Sequence, residues 1–246
     1  MTKIAVITGA NRGLGFATAR RLCQSGVKVI VGARTPAKGE EAAERLRGEG
    51  FDAEPLTIDV DCQVSVHDAA KHVERRHGRV DILINNAGIL PEATAGDAAQ
   101  PLDMRMFRES FETNVFGAVS VTNAFLPLLR KSASGRIVNV SSTMGSLTEQ
   151  SDRSSPYYGL VVPAYQTSKA ALNGLTIALS KALADTPIKV NSVCPGWVQT
   201  DLGGPENRAA APTTADDAAA IVADMASIPD DGPTGRFVDR EGTVAW

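Results

Sequence analysis

Tyr165 and Lys169 stand four residues apart in the run Tyr-Gln-Thr-Ser-Lys. On a helix that spacing lays a phenol and an ammonium on one face. A free phenol titrates near pH ~10, and a neighbouring cation favours the phenolate and draws that value down. Such a phenol can exchange a proton with a carbonyl oxygen near neutral pH. The pattern alone suits an ordinary surface helix equally well, so its weight depends on its company.

A second set lies at the start of the chain. Thr8-Gly-Ala-Asn-Arg-Gly-Leu-Gly15 follows a short apolar run and opens a helical pattern, with glycines at Gly9, Gly13 and Gly15. Glycine lets the backbone turn tightly and approach a ligand closely, and a helix N-terminus offers free N–H groups and a partial positive charge to a diphosphate. The spacing is G-x-x-x-G-x-G, in the strand–turn–helix context that a dinucleotide site requires. An NAD site places an acid about 20 residues on, to bond the ribose 2′-hydroxyl. Here that stretch reads Val31-Gly-Ala-Arg-Thr35, and residues 1–39 contain no Asp or Glu. Arg34 stands where a 2′-phosphate needs a cation, Arg12 lies in the turn itself, and Arg can fork two bonds onto a phosphate. NADPH is therefore the expected cofactor. Lys38 is read as a solvated surface residue.

The elements that must hold these groups alternate along the chain. Short β-branched runs at 4–8, 27–31, 53–58, 80–85, 136–140, 188–193 and 236–238 are the expected strands, several apolar on both faces as buried parallel strands are. Helical patterns cover 14–25, 36–49, 64–77, 104–131, 165–184 and 216–226. Thr35 before Pro36 reads as an N-cap followed by proline at the first helical position. This order predicts an α/β fold: one Rossmann-type doubly wound domain over 1–246 with a seven-stranded parallel sheet. The irregular stretches 91–103, 143–164 and 196–215 are expected to line the ligand crevice.

Four further segments complete the pattern: Arg136-Ile-Val-Asn-Val-Ser-Ser142, Asn85-Asn-Ala-Gly88, Asn114 within Glu-Thr-Asn-Val-Phe-Gly, and Pro195-Gly-Trp-Val-Gln-Thr200. In this order the chain resembles the short-chain dehydrogenase/reductase family over essentially its whole length, most closely the NADPH-dependent carbonyl reductase branch. The resemblance implies reduction of a ketone or aldehyde by hydride transfer. Tyr165 would be the general acid, Lys169 would lower its pKa and hold the nicotinamide ribose, and Ser142 (with Ser141 as the fallback) would polarise the substrate carbonyl. Asn114 would hold a water that links Lys169 to solvent. Gly9, Asn11, Arg12, Gly13, Leu14 and Gly15 would cradle the diphosphate. Asp59 and Val60 would contact the adenine, Asn86, Ala87 and Gly88 would pass beside the adenosine ribose, and Pro195, Gly196, Val198 and Thr200 would orient the carboxamide. Two other readings of the same residues are an alcohol dehydrogenase running in the oxidative direction and a non-catalytic NADP(H)-sensing protein.

One departure from the family pattern is the 22 residues, 143–164, between Ser142 and Tyr165. Shorter members carry far fewer, and the excess is expected to cover the site as a partial lid. It also bears on the homo-oligomer, dimer or tetramer, that the resemblance implies, because it can cover packing surface. The bulk properties exclude other classes. A net charge of −3 argues against a nucleic-acid partner. Cys23, Cys62 and Cys194 have no C-x-x-C spacing and read as reduced, mostly buried thiols. With no secretory leader pattern and no apolar run of about 20 residues, the expectation is a cytoplasmic protein with a small-molecule carbonyl substrate and no membrane partner. His67, His72 and His77 fall about 140° apart around a helix, so no metal site is expected. Trp197 and Trp246 are read as packing residues, with Trp197 also able to line a pocket.

Overall fold

Successive residues of a strand point to opposite faces, and here both faces are apolar. The computed structural model describes residues 2–95 and 102–246. Its strands are β1 (Ile4–Ile7), β2 (Lys28–Ala33), β3 (Ala53–Thr57), β4 (Ile82–Asn85), β5 (Arg136–Val140), β6 (Lys189–Val193) and β7 (Phe237–Val238). They form one seven-stranded parallel sheet in the order β3-β2-β1-β4-β5-β6-β7. In β4, Ile82 and Ile84 enter one core and Leu83 the other.

Helices cover both faces. The first core takes Leu22 of α1 (Gly13–Gln24), Leu46 of α2 (Pro36–Gly48) and Val222 of α9 (Ala215–Ala226). The second takes Val73 of α3 (Gln63–His77), Phe125 of α5 (Ala118–Leu129) and Leu179 of α7 (Pro163–Ala182). The strand order reverses between β1 and β4, so the loops leaving their carboxyl ends diverge and open a crevice there. That is the doubly wound topology expected above.

The departures have local causes. The helical stretch expected at 104–131 is α4 (Met104–Phe111), a π-helical turn over Glu112–Gly117, and then α5. Such a turn widens the helix by one residue and re-aims the side chains it carries. Thr35 sits at the N-cap of α2 ahead of Pro36, but its side chain makes no cap bond. The stretches expected to be irregular carry short helices: α6 (Leu147–Ser151) and α8 (Gly204–Ala210). Of the stretch expected at 91–103, a 3₁₀ turn covers Pro91–Thr94, and residues 96–101 lie outside the described residues. Of the thiols expected to be mostly buried, Cys23 and Cys194 are buried and Cys62 is exposed at the N-cap of α3.

A polar chain crosses the second core. Asn85 Nδ2 donates to Thr122 Oγ1 (3.0 Å) and Asn139 Oδ1 (2.8 Å), Asn139 Nδ2 donates to Thr176 Oγ1 (2.8 Å), and Thr176 meets Ser192 (2.8 Å). Neighbouring strands β4, β5 and β6 are thereby tied to α5 and α7. Among the described residues no helix is long and apolar enough to cross a membrane, and no cluster of three His, Cys, Asp or Glu could hold a metal ion.

Candidate active site

The glycine turn leaves β1 against the end of β4. The hydroxyl oxygen of Thr8 accepts from the N–H groups of Asn86 and Ala87, both at 3.0 Å. Asn86 Nδ2 returns bonds to the carbonyls of Thr8 (2.8 Å) and Gly9 (3.2 Å). Asn86, Ala87 and Gly88 are thus fixed beside the turn. Gly9 has φ 64°, the left-handed region that L side chains avoid. A Cβ at Gly15 would come within 2.5 Å of the Gly9 carbonyl and of Asn86 Nδ2, so only glycine lets α1 start this close to the sheet.

The first N–H groups of a helix have no partner inside it. In α1 the N-cap residue Arg12 supplies no side-chain bond, and the first turn carries no acid. Those donors, from Gly13, Leu14 and Gly15, together with the glycine cradle fit a diphosphate. Asn11 stands between cradle and helix. Arg12 turns away instead, to Asp201 (2.6 Å), which also pairs with Arg208 (2.9 Å). Both pairs are exposed. Arg34, at the end of β2, is exposed and enters none of the ion pairs found among the described residues. Asp59 and Val60 follow β3 on the same edge. The Asp59 N–H donates to Ser65 (2.9 Å), and Val60 packs beside Gly117.

The loop after β6 runs back to this turn. Pro195 is buried and Gly196 turns with φ 83°. Val198 pairs with Thr213, and the methyl of Thr200 lies beside Gly13. A groove of about 600 Å³ opens next to it, lined by Gln199, Asp201, Gly204, Pro205, Arg208 and Ala209. Trp197 is 52% exposed on that rim and so is not the packing residue it was read as. Trp246 does pack, stacked on Phe237 at 5.7 Å.

Tyr165, Lys169 and Ser142 converge where β5 ends. Ser142 stands beside the Tyr165 phenol and favours its ionisation. Ser141 faces the other way, and its hydroxyl donates to the Lys169 carbonyl (3.4 Å). Lys169 Nζ lies 5.5 Å from the centre of the Tyr165 ring and donates to the Val140 carbonyl (2.8 Å). The protein's own groups push the phenol up. Burial is the main cause, the neighbouring Cys194 and Glu92 add to it, and Ser142 opposes it. Burial also holds the Lys169 ammonium down, from 10.5 to about 8. Each shift favours the neutral form because a buried charge loses its hydration.

The Asn114 Oδ1 accepts from the Ile89 N–H (2.8 Å), and its Nδ2 donates to the Ile89 carbonyl and to Ser168 Oγ (both 3.0 Å). The π-helical turn thus aims this side chain at the loop after β4, where its amide grips the backbone. Sequence reasoning missed Ser168, whose hydroxyl donates to the Tyr165 carbonyl (2.7 Å). It also missed Glu92, which bonds the start of α7. Ser168 lay inside the Tyr-x-x-x-Lys run; nothing local marked Glu92. Within 143–164, Thr143 meets Cys194 Sγ through its N–H (3.2 Å) and its hydroxyl (3.0 Å). The same segment is tied to the chain's last residues through Ser146 and Thr148.

The profile of the short chain dehydrogenase family matches residues 3–211. The chain belongs to that family. Short-chain dehydrogenase anuI of Penicillium roqueforti (strain FM164) is 40% identical over 211 residues, covering 82% of this chain and 81% of the fungal protein. Carbonyl reductase (NADPH) 1 of Sus scrofa is 30% identical over 284 residues, covering 100% of this chain and 94% of the pig protein. The crystal structure of NADPH-bound carbonyl reductase from chicken fatty liver superposes with a TM-score of 0.82 at 30% identity, covering 100% of this chain and 99% of that one. A short-chain dehydrogenase is an oxidoreductase that uses NAD(P) on small molecules, and reductases are among this chain's relatives.

Proposed function

We propose that the chain reduces a ketone or aldehyde to an alcohol with NADPH, with Tyr165 as the general acid. The observation that carries the reading is the convergence of Ser142, Tyr165 and Lys169 beside a glycine turn, with Arg34 directly after the neighbouring strand β2. Gly9, Asn11, Gly13, Leu14 and Gly15 would hold the diphosphate, with Arg12 free to join them on leaving Asp201. Arg34 would take the 2′-phosphate, Asp59 and Val60 the adenine, and Asn86, Ala87 and Gly88 the adenosine ribose. Tyr165 and Lys169 would bond the nicotinamide ribose. Pro195, Gly196, Val198 and Thr200 would orient the carboxamide. A reduced nicotinamide bound there supplies the hydride, which no side chain can.

The remaining chemistry belongs to the protein. The Ser142 hydroxyl donates to the substrate carbonyl oxygen and draws charge toward it. The Tyr165 phenol donates its proton to that oxygen as the carbon is reduced, leaving a phenolate. Lys169 then resupplies the proton, and the loop gripped by Asn114 shapes the path to solvent. Burial holds the phenol protonated, the form that an acid needs. A lysine near pH 8 can give and regain a proton in neutral buffer.

The test follows absorbance at 340 nm with NADPH and a panel of ketones and aldehydes. Turnover is expected with at least one of them. Tyr165→Phe should cut it by roughly 10²–10⁴-fold while NADPH still binds. Unchanged turnover in that variant would refute the acid, and tight NADPH binding without turnover on any substrate would favour a nucleotide sensor.

A further inference from the structure

We propose that Glu92, on the loop after β4, is a positioning residue that caps α7 from outside the helix and so aims the Tyr165 phenol. This rests on the reading of Tyr165 as the acid.

The start of α7 lacks the means to cap itself. Its N-cap position is Val162, which has no side-chain acceptor, and its first turn carries no acid. Pro163 has no N–H, so the first orphan donors are those of Ala164 and Tyr165. An N-cap side chain normally accepts from these two positions. Glu92 Oε1 accepts both, at 2.7 Å and 3.1 Å, from more than 70 residues upstream. A carboxylate there also meets the positive end of the helix dipole.

The carbonyl end of the same residue is held as well. Ser168 Oγ donates to the Tyr165 carbonyl and accepts from Asn114, which grips both backbone groups of Ile89. Ile89 and Glu92 belong to one short loop. Tyr165 is therefore clamped at its N–H and its C=O by the segment that continues from Asn86-Ala87-Gly88. A residue pair at the end of β4 thus sets the acid's position relative to the glycine turn.

Glu92 also acts on the phenol through space. Its Oε2 is buried with no hydrogen-bond partner among the described residues, and its charge disfavours the phenolate. The groups that face Tyr165 are Ser142 from the end of β5, Cys194 from the end of β6, Glu92 from the β4 loop and Lys169 from α7 itself. Only Ser142 among the groups that move the phenol's pKa favours ionisation; Glu92 and Cys194 oppose it. Removing the Glu92 charge should ease ionisation of Tyr165, so the fall in the rate of reduction as pH rises should begin at lower pH.

The experiment compares Glu92→Gln, which keeps the acceptor and loses the charge, with Glu92→Ala, which loses both. Tyr165→Phe runs in parallel. Amide exchange at Ala164 and Tyr165 is read on the cofactor-free protein, and kcat, KM for NADPH and the pH profile on the holoenzyme. E92A is expected to speed exchange at both amides by roughly fivefold or more, the effect of losing a cap. It should lower kcat with little change in KM. E92Q is expected to restore protection and most of kcat, with its alkaline limb at lower pH than that of the wild type. Native exchange and native kcat in E92A would overturn the proposal. So would an E92Q profile that superposes on the wild type. Should E92A fail to fold, the E92Q profile decides alone. An active Tyr165→Phe would instead defeat the acid reading, and the exchange measurement would still decide the cap.

Discussion

Tyr165 and Lys169 share a helix face, yet burial drives their pKa values apart: the phenol up and the ammonium down to about 8. The i, i+4 spacing suggested an ion pair that ionises the phenol. The lysine's hydrogen bond goes to the Val140 carbonyl instead, and desolvation outweighs proximity. At the other end of the site, Arg34 lies exposed directly after β2. Arg34→Ala should therefore raise the Kd for NADPH by roughly 10–100-fold, the worth of a charge-assisted fork. The Kd for NADH should stay within about twofold. Titration of intrinsic fluorescence with each cofactor checks this, and equal losses would remove Arg34 from the 2′-phosphate site.

Elements here are joined by side chains that reach across them. Arg136 begins β5 and is fully buried. Its guanidinium donates to the Ile228 carbonyl from Nε (3.0 Å) and Nη2 (2.9 Å), to the Gly135 carbonyl (2.9 Å) and to Asp230 (2.7 Å). It ties the sheet to the segment that follows α9. Arg136→Leu keeps an apolar stem but orphans the Gly135 and Ile228 carbonyls, while the exposed Asp230 turns to water. The expected loss is about 2–4 kcal/mol of stability, read from urea unfolding, with turnover per folded molecule unchanged. A loss below about 0.5 kcal/mol, the range of an ordinary surface substitution, would mean that water replaces the guanidinium at no cost.

For the molecule as a whole, the buried lysine makes stability depend on pH. Unfolded, Lys169 keeps its proton up to about 10.5; folded, it releases it near 8. Between these values the unfolded chain binds more protons, so stability rises with pH, and the gain is lost as pH falls through about 8. Cys23, raised from 9.0 to about 11 by burial first, acts in the opposite sense above pH 9, as does Tyr165. Comparison with Lys169→Met cancels both. The stability of the wild type relative to that variant should grow by about 1 kcal/mol per pH unit between 8 and 10, measured by chemical denaturation. A flat difference would mean that the folded side chain keeps its proton.

Much of this was legible in the chain. The β-branched runs and the glycine turn depend on neighbours a few residues apart, and local sterics and periodicity decide them. The order of strands and helices then leaves little choice of topology. Ser142, Tyr165 and Lys169 were found because each sits in a short pattern at the end or start of an element. Glu92 and the bond from Arg12 to Asp201 carry no such pattern, since each joins segments far apart in sequence. The direction of the Tyr165 and Lys169 shifts was likewise beyond any reading of spacing. Desolvation depends on everything packed around a group, and that packing exists only once the distant segments have met.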